Sequence, residues 1–280
     1  MRKAIITLAI GDKYLKRWKR LCATNWQKYA DKHNYDIVCI DYTLDNSPRA
    51  RLRSPAWQKC LILSENKVQK YDQVVWIDSD ILINPNAPCV IEGVPEAKIG
   101  ATDAFEQFIV QSPHKENYII QDEAVSQLKW KFNTAEDYYR LAKLPVFLKH
   151  VMQTGVMVLS PKFHRHILEY TYNNYDNTPV GDFEMESLSY EAIKNDLIHW
   201  IDPKFNYLWT ACMINSYPFL MPPEKNELKP IRLWKRFTRG HYQLPPNRIT
   251  KTCLSIAFQK SWFLHFAGAT QYMFWASSVI

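Results

Sequence analysis

The segment Tyr71–Asn84, YDQVVWIDSDILIN, constrains the fold of this chain more than any other. Val74, Val75, Trp76 and Ile77 form an apolar, β-branched and aromatic run that predicts a buried strand, and Ile81, Leu82 and Ile83 resume it after Asp78-Ser79-Asp80. Two carboxylates therefore stand at the mouth of a core strand, which in an open α/β sheet is where ligands bind. Residues two apart in an extended chain point the same way, so Asp78 and Asp80 can share one divalent cation while Ser79 faces the other side. An Asx-type turn between two strands would also put two acids here. The apolar runs on both sides favour the cation, because unpaired charge at that point is costly.

The preceding chain reads as strand, helix, strand. Lys3–Ile10 is the first strand; Asp12 to about Lys32 carries Leu15, Trp18, Leu21, Cys22, Trp26 and Tyr29 at helical spacing; Tyr35–Asp41 is the second strand. Such an opening predicts βαβ units and a parallel sheet covered by helices. After the polar, arginine-rich loop Asn46–Pro55, the stretch Ala56–Gln69 is predicted as the helix leading into the third strand and its aspartates. Further on, strands are predicted over Ala97–Thr102, Gly155–Leu159 and Leu197–Ile201. Helices are predicted over Glu116–Trp130, Ala135–Leu144, from Ser160-Pro161 to about Tyr172, and over Phe183–Lys194.

At 280 residues and 47% hydrophobic content, one large domain or one domain with a lobe is expected, with halves of about 1–110 and about 111–280. The start, MRKAIITLAIGDKY, has positive charge and a short apolar stretch but no small-residue cleavage site, and so predicts a strand rather than a signal peptide. The most apolar C-terminal stretch is interrupted by Lys260 and His265 and is too short to span a bilayer. Six scattered cysteines without a CxxC pair fit reduced core thiols and a cytoplasmic protein. Seven glycines and no GxGxxG or P-loop leave a dinucleotide-binding or kinase reading without support. The net charge of +7 favours anionic partners. Part of it lies between Lys225 and Arg248, where Lys225, Lys229, Arg232, Lys235, Arg236, Arg239 and Arg248 interleave with Trp234, Phe237 and Tyr242. Five prolines punctuate the region from Pro222 to Pro246, so a solvated surface excursion, with peripheral contact to an anionic membrane as its functional use, is expected over nucleic-acid binding.

Taken together, ITLAIGDKY, AWQKCLIL (Ala56–Leu63), VVWIDSDILI, QTGVMVLSP (Gln153–Pro161), FEMESLSYE (Phe183–Glu191) and FLHFAG (Phe263–Gly268) follow one another as do the landmarks of the GT-A glycosyltransferases. The chain resembles these nucleotide-sugar enzymes with an Asp-x-Asp motif, in particular glycogenin and the bacterial lipopolysaccharide galactosyltransferases. The resemblance implies a GT-A type α/β fold: a mixed, mostly parallel sheet flanked by helices, with a C-terminal acceptor-side lobe. It also implies a hexosyltransferase that uses a nucleoside diphosphate sugar, UDP foremost, and a glycan or lipid-linked acceptor, with retention of configuration, in polysaccharide biosynthesis.

The resemblance assigns candidate roles. Asp78 and Asp80 would hold a divalent ion, with His265 of the HxxG segment His265–Gly268 as third ligand; an imidazole beside carboxylates suits Mn2+ better than Mg2+. The three side chains are expected to converge on one ion at about 2.0–2.3 Å. Such an ion acts as the Lewis acid for a diphosphate leaving group. Gln153, Thr154 and Gly155 occupy the place of the family's Asn-Ser-Gly turn before a core strand, Gln replacing Asn, and would contact the donor together with Ser79 and Gly268. Glu184 first, and Glu186 second, would supply the acid at the anomeric carbon; Asp182, by its position before the helix, reads as its N-cap or a first-turn acid complementing the helix dipole. Lys59 would bind the diphosphate or base, with Arg51 and Arg53 as further candidates otherwise expected in a solvated loop. Asp103, ending a strand, is a candidate for a donor-sugar hydroxyl.

Two other classes compete. A haloacid-dehalogenase-like phosphotransferase also ends a core strand in Asp-x-Asp, but on its first strand with Thr or Val close behind, whereas here the motif ends the third strand and Ile81 follows. A non-catalytic glycan-binding protein on the same fold would draw on the 14% aromatic content and the basic segment.

Overall fold

The structure, a computed structural model, describes residues 1–108, 134–220 and 248–277. The helix predicted over Glu116–Trp130 and the basic segment 225–247 lie outside the described residues. Nine strands occur among the described residues: β1 (Lys3–Leu8), β2 (Asp36–Ile40), β3 (Gln73–Ile77), β4 (Ile81–Ile83), β5 (Ile99–Asp103), β6 (Met152–Leu159), β7 (Ile198–Trp200), β8 (Tyr207–Leu208) and β9 (Phe263–His265).

Six of them form a sheet in the order β2-β1-β3-β6-β5-β7. β1 pairs in parallel with both β2 and β3, β5 in parallel with β7, and β6 alone runs antiparallel to its neighbours β3 and β5. The mostly parallel, helix-flanked sheet expected from the sequence is thus present. Every residue of β3 is buried. Its alternation splits the interior in two: Val75 and Ile77 pack with Ile5, Val156, Val158 and Trp26, whereas Val74 and Trp76 pack with Ala4, Ile6, Met157 and Trp57. A strand covered on both faces needs a continuous apolar run, which is why VVWI was legible.

The chain leaves β3 at Asp78, turns, and enters a second, three-stranded sheet in the order β4-β9-β8. β4 pairs antiparallel with β9, Ile81 opposite His265, and β8 pairs in parallel with β9, Leu208 opposite His265. The other edge of β4 is met by side chains. Asn25 donates to the Ile83 carbonyl at 2.8 Å and accepts from the Ile83 N–H at 2.7 Å, and the Trp26 indole N–H donates to the Ile81 carbonyl at 2.9 Å. Asn25 therefore supplies the donor and the acceptor that a neighbouring strand would supply, and few backbone groups are left orphaned.

Three local expectations are corrected. The helix predicted over Asp12 to Lys32 is present but interrupted by a π-helical turn at Lys19–Ala23, between α-helical Asp12–Trp18 and Thr24–His33. The wider turn carries Cys22 beneath the aspartate loop, its thiol 3.3 Å from the Ser79 carbonyl and 3.6 Å from that of Ile81. Ala56–Gln69 is not one α-helix: Pro55–Ser64 is 3-10 and only Asn66–Gln69 is α-helical. Trp57, Cys60 and Leu63, three apart, all enter one core cluster, and a helix of three residues per turn stacks them on one side. Gln153-Thr154-Gly155 is not a turn before a strand; all three residues lie inside β6 and are buried. Pairing with β5 skips from Gly100–Val158 to Thr102–Gln153, so Thr154 to Met157 stand opposite Ala101 alone, an irregularity of the ladder at the site.

Candidate metal and donor site

The Asp78-Ser79-Asp80 turn joins the two sheets at the carboxyl end of β3. Its backbone is fixed at both ends: the Asp78 N–H donates to the Gly155 carbonyl at 2.9 Å, and the Asp80 carbonyl accepts from the Phe266 N–H at 3.0 Å. The second bond ties the turn to the segment after β9 and so brings His265 alongside, although His265 lies 185 positions beyond Asp80 in the chain. His265 Nε2 lies 3.2 Å from Asp80 Oδ1 and 3.9 Å from Asp78 Oδ2. One potential ligand atom from each of the three side chains falls within a set spanning at most 4.8 Å. Two ligands held at about 2.3 Å from one ion can be no more than about 4.6 Å apart, a limit that both measured His265 separations meet.

The surrounding charge also fits a cation. Lys59, buried on the 3-10 helix, places its ammonium 2.7 Å from Glu184 Oε1 and 3.2 Å from Asp78 Oδ1, over the face of the Trp76 ring. The Trp76 indole N–H donates to the same Asp78 oxygen at 2.9 Å, and Thr154 Oγ1 donates to Glu184 Oε1 at 3.0 Å. Lys59 thus pairs with two of the site's three carboxylates, those of Asp78 and Glu184, while Asp80 faces His265. Glu184 Oε2 is buried and without a hydrogen-bond partner. Hard oxygen donors with one imidazole and excess negative charge are a donor set for Mn2+ or Mg2+.

Electrostatics separate the two aspartates. Burial holds the Asp78 carboxyl above the ordinary range despite Lys59 and His265. For Asp80 burial pushes the same way, but the adjacent His265, which also hydrogen-bonds it, together with Arg17, leaves it below that range. For Lys59 burial favours loss of the proton, and the two carboxylates outweigh it, so its affinity for the proton is raised.

The remaining sequence candidates divide. Gly155 belongs to the site through its missing side chain: a Cβ there would stand 2.5 Å from His265 Cε1 and 2.7 Å from Nδ1. Gln153 turns its amide oxygen back onto the Gly155 N–H at 2.8 Å. The Ser79 carbonyl is held by Cys22, and Gly268 adopts φ +68° just after the Phe266 tether. Asp103 accepts from the Phe105 N–H at 2.9 Å and contacts His150 Nδ1 at 2.6 Å, whose ring leans on Trp200. Glu186 faces away from Lys59. Its Oε1 accepts from Thr178 Oγ1 and the Asp182 N–H, both at 2.9 Å, closing the loop before the helix Met185–Lys194, and burial pushes its carboxyl up to about 7.

Arg53 is neither a diphosphate ligand in waiting nor part of a solvated loop. It is buried, paired with Asp176 at 2.6 Å, and donates to the carbonyls of Tyr172 and Tyr175 at the end of the helix Pro161–Asn174. Arg51 is exposed. Sequence reasoning missed Cys22, Asn25, Trp26 and Asn206, whose types carried no signal because each acts through a backbone or ring that arrives from a distant segment.

No protein-family model matches the chain, and no curated protein matches it in sequence. Solved structures match it in shape. A glycosyltransferase involved in the glycosylation of the major capsid of PBCV-1 aligns with a TM-score of 0.51 and 13% identity, over 96% of this chain and 98% of that one. The galactosyltransferase LgtC, in complex with donor and acceptor sugar analogs, aligns with a TM-score of 0.44 and 11% identity over 98% and 95%. The bifunctional glycosyltransferase WbbM aligns with a TM-score of 0.45 and 12% identity, over 95% of this chain but 46% of WbbM. The first of these likenesses shows a shared fold, of the GT-A type. No helix among the described residues is long and apolar enough to cross a membrane.

Proposed function

We propose that the chain is a metal-dependent glycosyltransferase that moves a hexose from a nucleoside diphosphate sugar, UDP foremost, to a hydroxyl of a glycan or lipid-linked acceptor. The observation that carries this reading is the convergence of Asp78, Asp80 and His265 at the carboxyl end of β3, next to the Lys59–Glu184 pair, within a fold shared with glycosyltransferases.

Asp78, Asp80 and His265 would hold the ion, and when bound it would supply Lewis-acid stabilisation of the departing diphosphate. The protein's own groups do the rest. Lys59 and Thr154 fix one oxygen of Glu184, leaving Oε2 as the group available to an electron-deficient anomeric centre. We read Glu184 as stabilising an oxocarbenium-like state with retention of configuration; Glu186, occupied with the 178–182 loop, is left as a structural acid. Ser79, Gly155 and Gly268 line the donor side by backbone, and Asp103 together with Gln153 remains our candidate for donor-sugar recognition. The half about 1–110 would then bind nucleotide and the remainder, which returns His265 to the metal, the acceptor.

The test is a screen of nucleotide sugars with Mn2+, read as thermal shift and slow donor hydrolysis, since a ligand that binds the folded state raises stability by mass action. Asp80→Ala is expected to abolish the Mn2+-dependent hydrolysis. Hydrolysis that survives in Asp80→Ala would remove the metal from the mechanism, and inversion in the product by NMR would recast Glu184 as general base.

A further inference from the structure

His265 is held from the side opposite the carboxylates. Asn206 ends the 3-10 turn Pro203–Asn206 that delivers the chain to β8, the strand beside β9, and it is wholly buried. Its Oδ1 lies 2.8 Å from His265 Nδ1. An amide oxygen only accepts, so the imidazole carries hydrogen on Nδ1. The other ring nitrogen, Nε2, is the one that faces Asp80 and Asp78. Gly155 closes the arrangement, since the space its absent Cβ would fill is occupied by the Cε1–Nδ1 edge of the ring.

We infer that Asn206 is a positioning residue of the metal site: it fixes His265 in the tautomer and orientation that present an Nε2 lone pair to the ion. The inference rests on the metal-dependent reading above and adds a residue that touches neither ion nor substrate. Ligating histidines are commonly oriented this way by a partner on the second nitrogen. An amide suits the place, because it offers the acceptor oxygen without a fourth carboxylate beside Asp78, Asp80 and Glu184.

The test uses the full chain and Mn2+ alone, with free ion counted by electron paramagnetic resonance. Asn206→Leu keeps the volume and deletes the acceptor, and Asn206→Asp keeps the acceptor. The Leu variant is expected to bind Mn2+ about 10–100-fold more weakly, and the Asp variant to match or exceed the wild type. A purely structural asparagine would not be rescued by aspartate in this pattern. In parallel, the 15N spectrum of the Cd2+-loaded wild type should show His265 bonded to cadmium through Nε2 with Nδ1 protonated. If the wild type binds no Mn2+, the metal reading itself fails and takes the inference with it. If the wild type binds and a folded Leu variant binds equally well, only the role of Asn206 fails. If the Leu variant does not fold, the cadmium spectrum decides, and coordination through Nδ1 overturns the inference.

Discussion

Replacing Gly155 by alanine adds one methyl group, and the structure fixes what that methyl must displace. The new Cβ would lie 2.5 Å from His265 Cε1, 2.7 Å from Nδ1 and 3.2 Å from Asn206 Nδ2. Carbon atoms at rest sit about 3.5–4.0 Å apart, so the ring must retreat by about 1 Å. It has little room, being buried in β9 between β4 and β8 and tied to Asn206. Metal ligands tolerate about 0.2 Å, so a shift of this size takes His265 out of the ligand set. Overpacking of a filled interior costs about 1–3 kcal/mol, which leaves a folded protein to measure. The expected outcome is a urea midpoint lowered to match that cost, together with a loss of Mn2+ affinity of at least about tenfold, comparable to the effect of disturbing a ligand's support. A folded Gly155→Ala protein that binds Mn2+ within threefold of the wild type would refute the claim that the close approach of ring and backbone builds the site.

Lys59→Met leaves the buried Glu184 and the half-buried Asp78 without their cation, and removing one partner of a buried pair such as Lys59–Glu184 costs about 3–5 kcal/mol; chemical denaturation at neutral pH should read that loss, and a loss under about 1 kcal/mol would mean that Lys59 is not the bond between the two acids. Glu186 gives a pH signature. Its carboxyl is pushed from 4.5 to about 7, mainly by burial, so the folded state binds the proton more tightly than the unfolded chain. The proton-linked stability is fully present below the unfolded value and is lost as pH rises from about 4.5 to about 7, amounting to about 3 kcal/mol at 1.36 kcal/mol per unit. Urea unfolding of Glu186→Gln across this window should lack that slope, and parallel curves for variant and wild type would contradict it.

The site was legible where the chemistry is local to the strand. An apolar run interrupted by two acids announces itself, because burial on both faces demands the run and its end is the only place the acids can stand. The His265 segment was read only through its resemblance to glycosyltransferases. The choice between Glu184 and Glu186 was only half legible. The helix begins at Met185 rather than Phe183, which leaves Glu184 at its N-cap position, facing Lys59, and turns Glu186 toward the 178–182 loop.

What the sequence determined by itself is what depends on neighbours along the chain: the strand–helix–strand opening, the buried third strand and the acids at its mouth. The tertiary structure decided what depends on neighbours across it. Arg53 became a buried clamp on Asp176 instead of a loop cation, Lys59 joined Asp78 to Glu184, and Asn206 met His265. Hydrogen bonds and ion pairs act over about 3 Å, and which two groups come that close is set by the packing of segments far apart in the chain, a property that residue type and spacing do not encode.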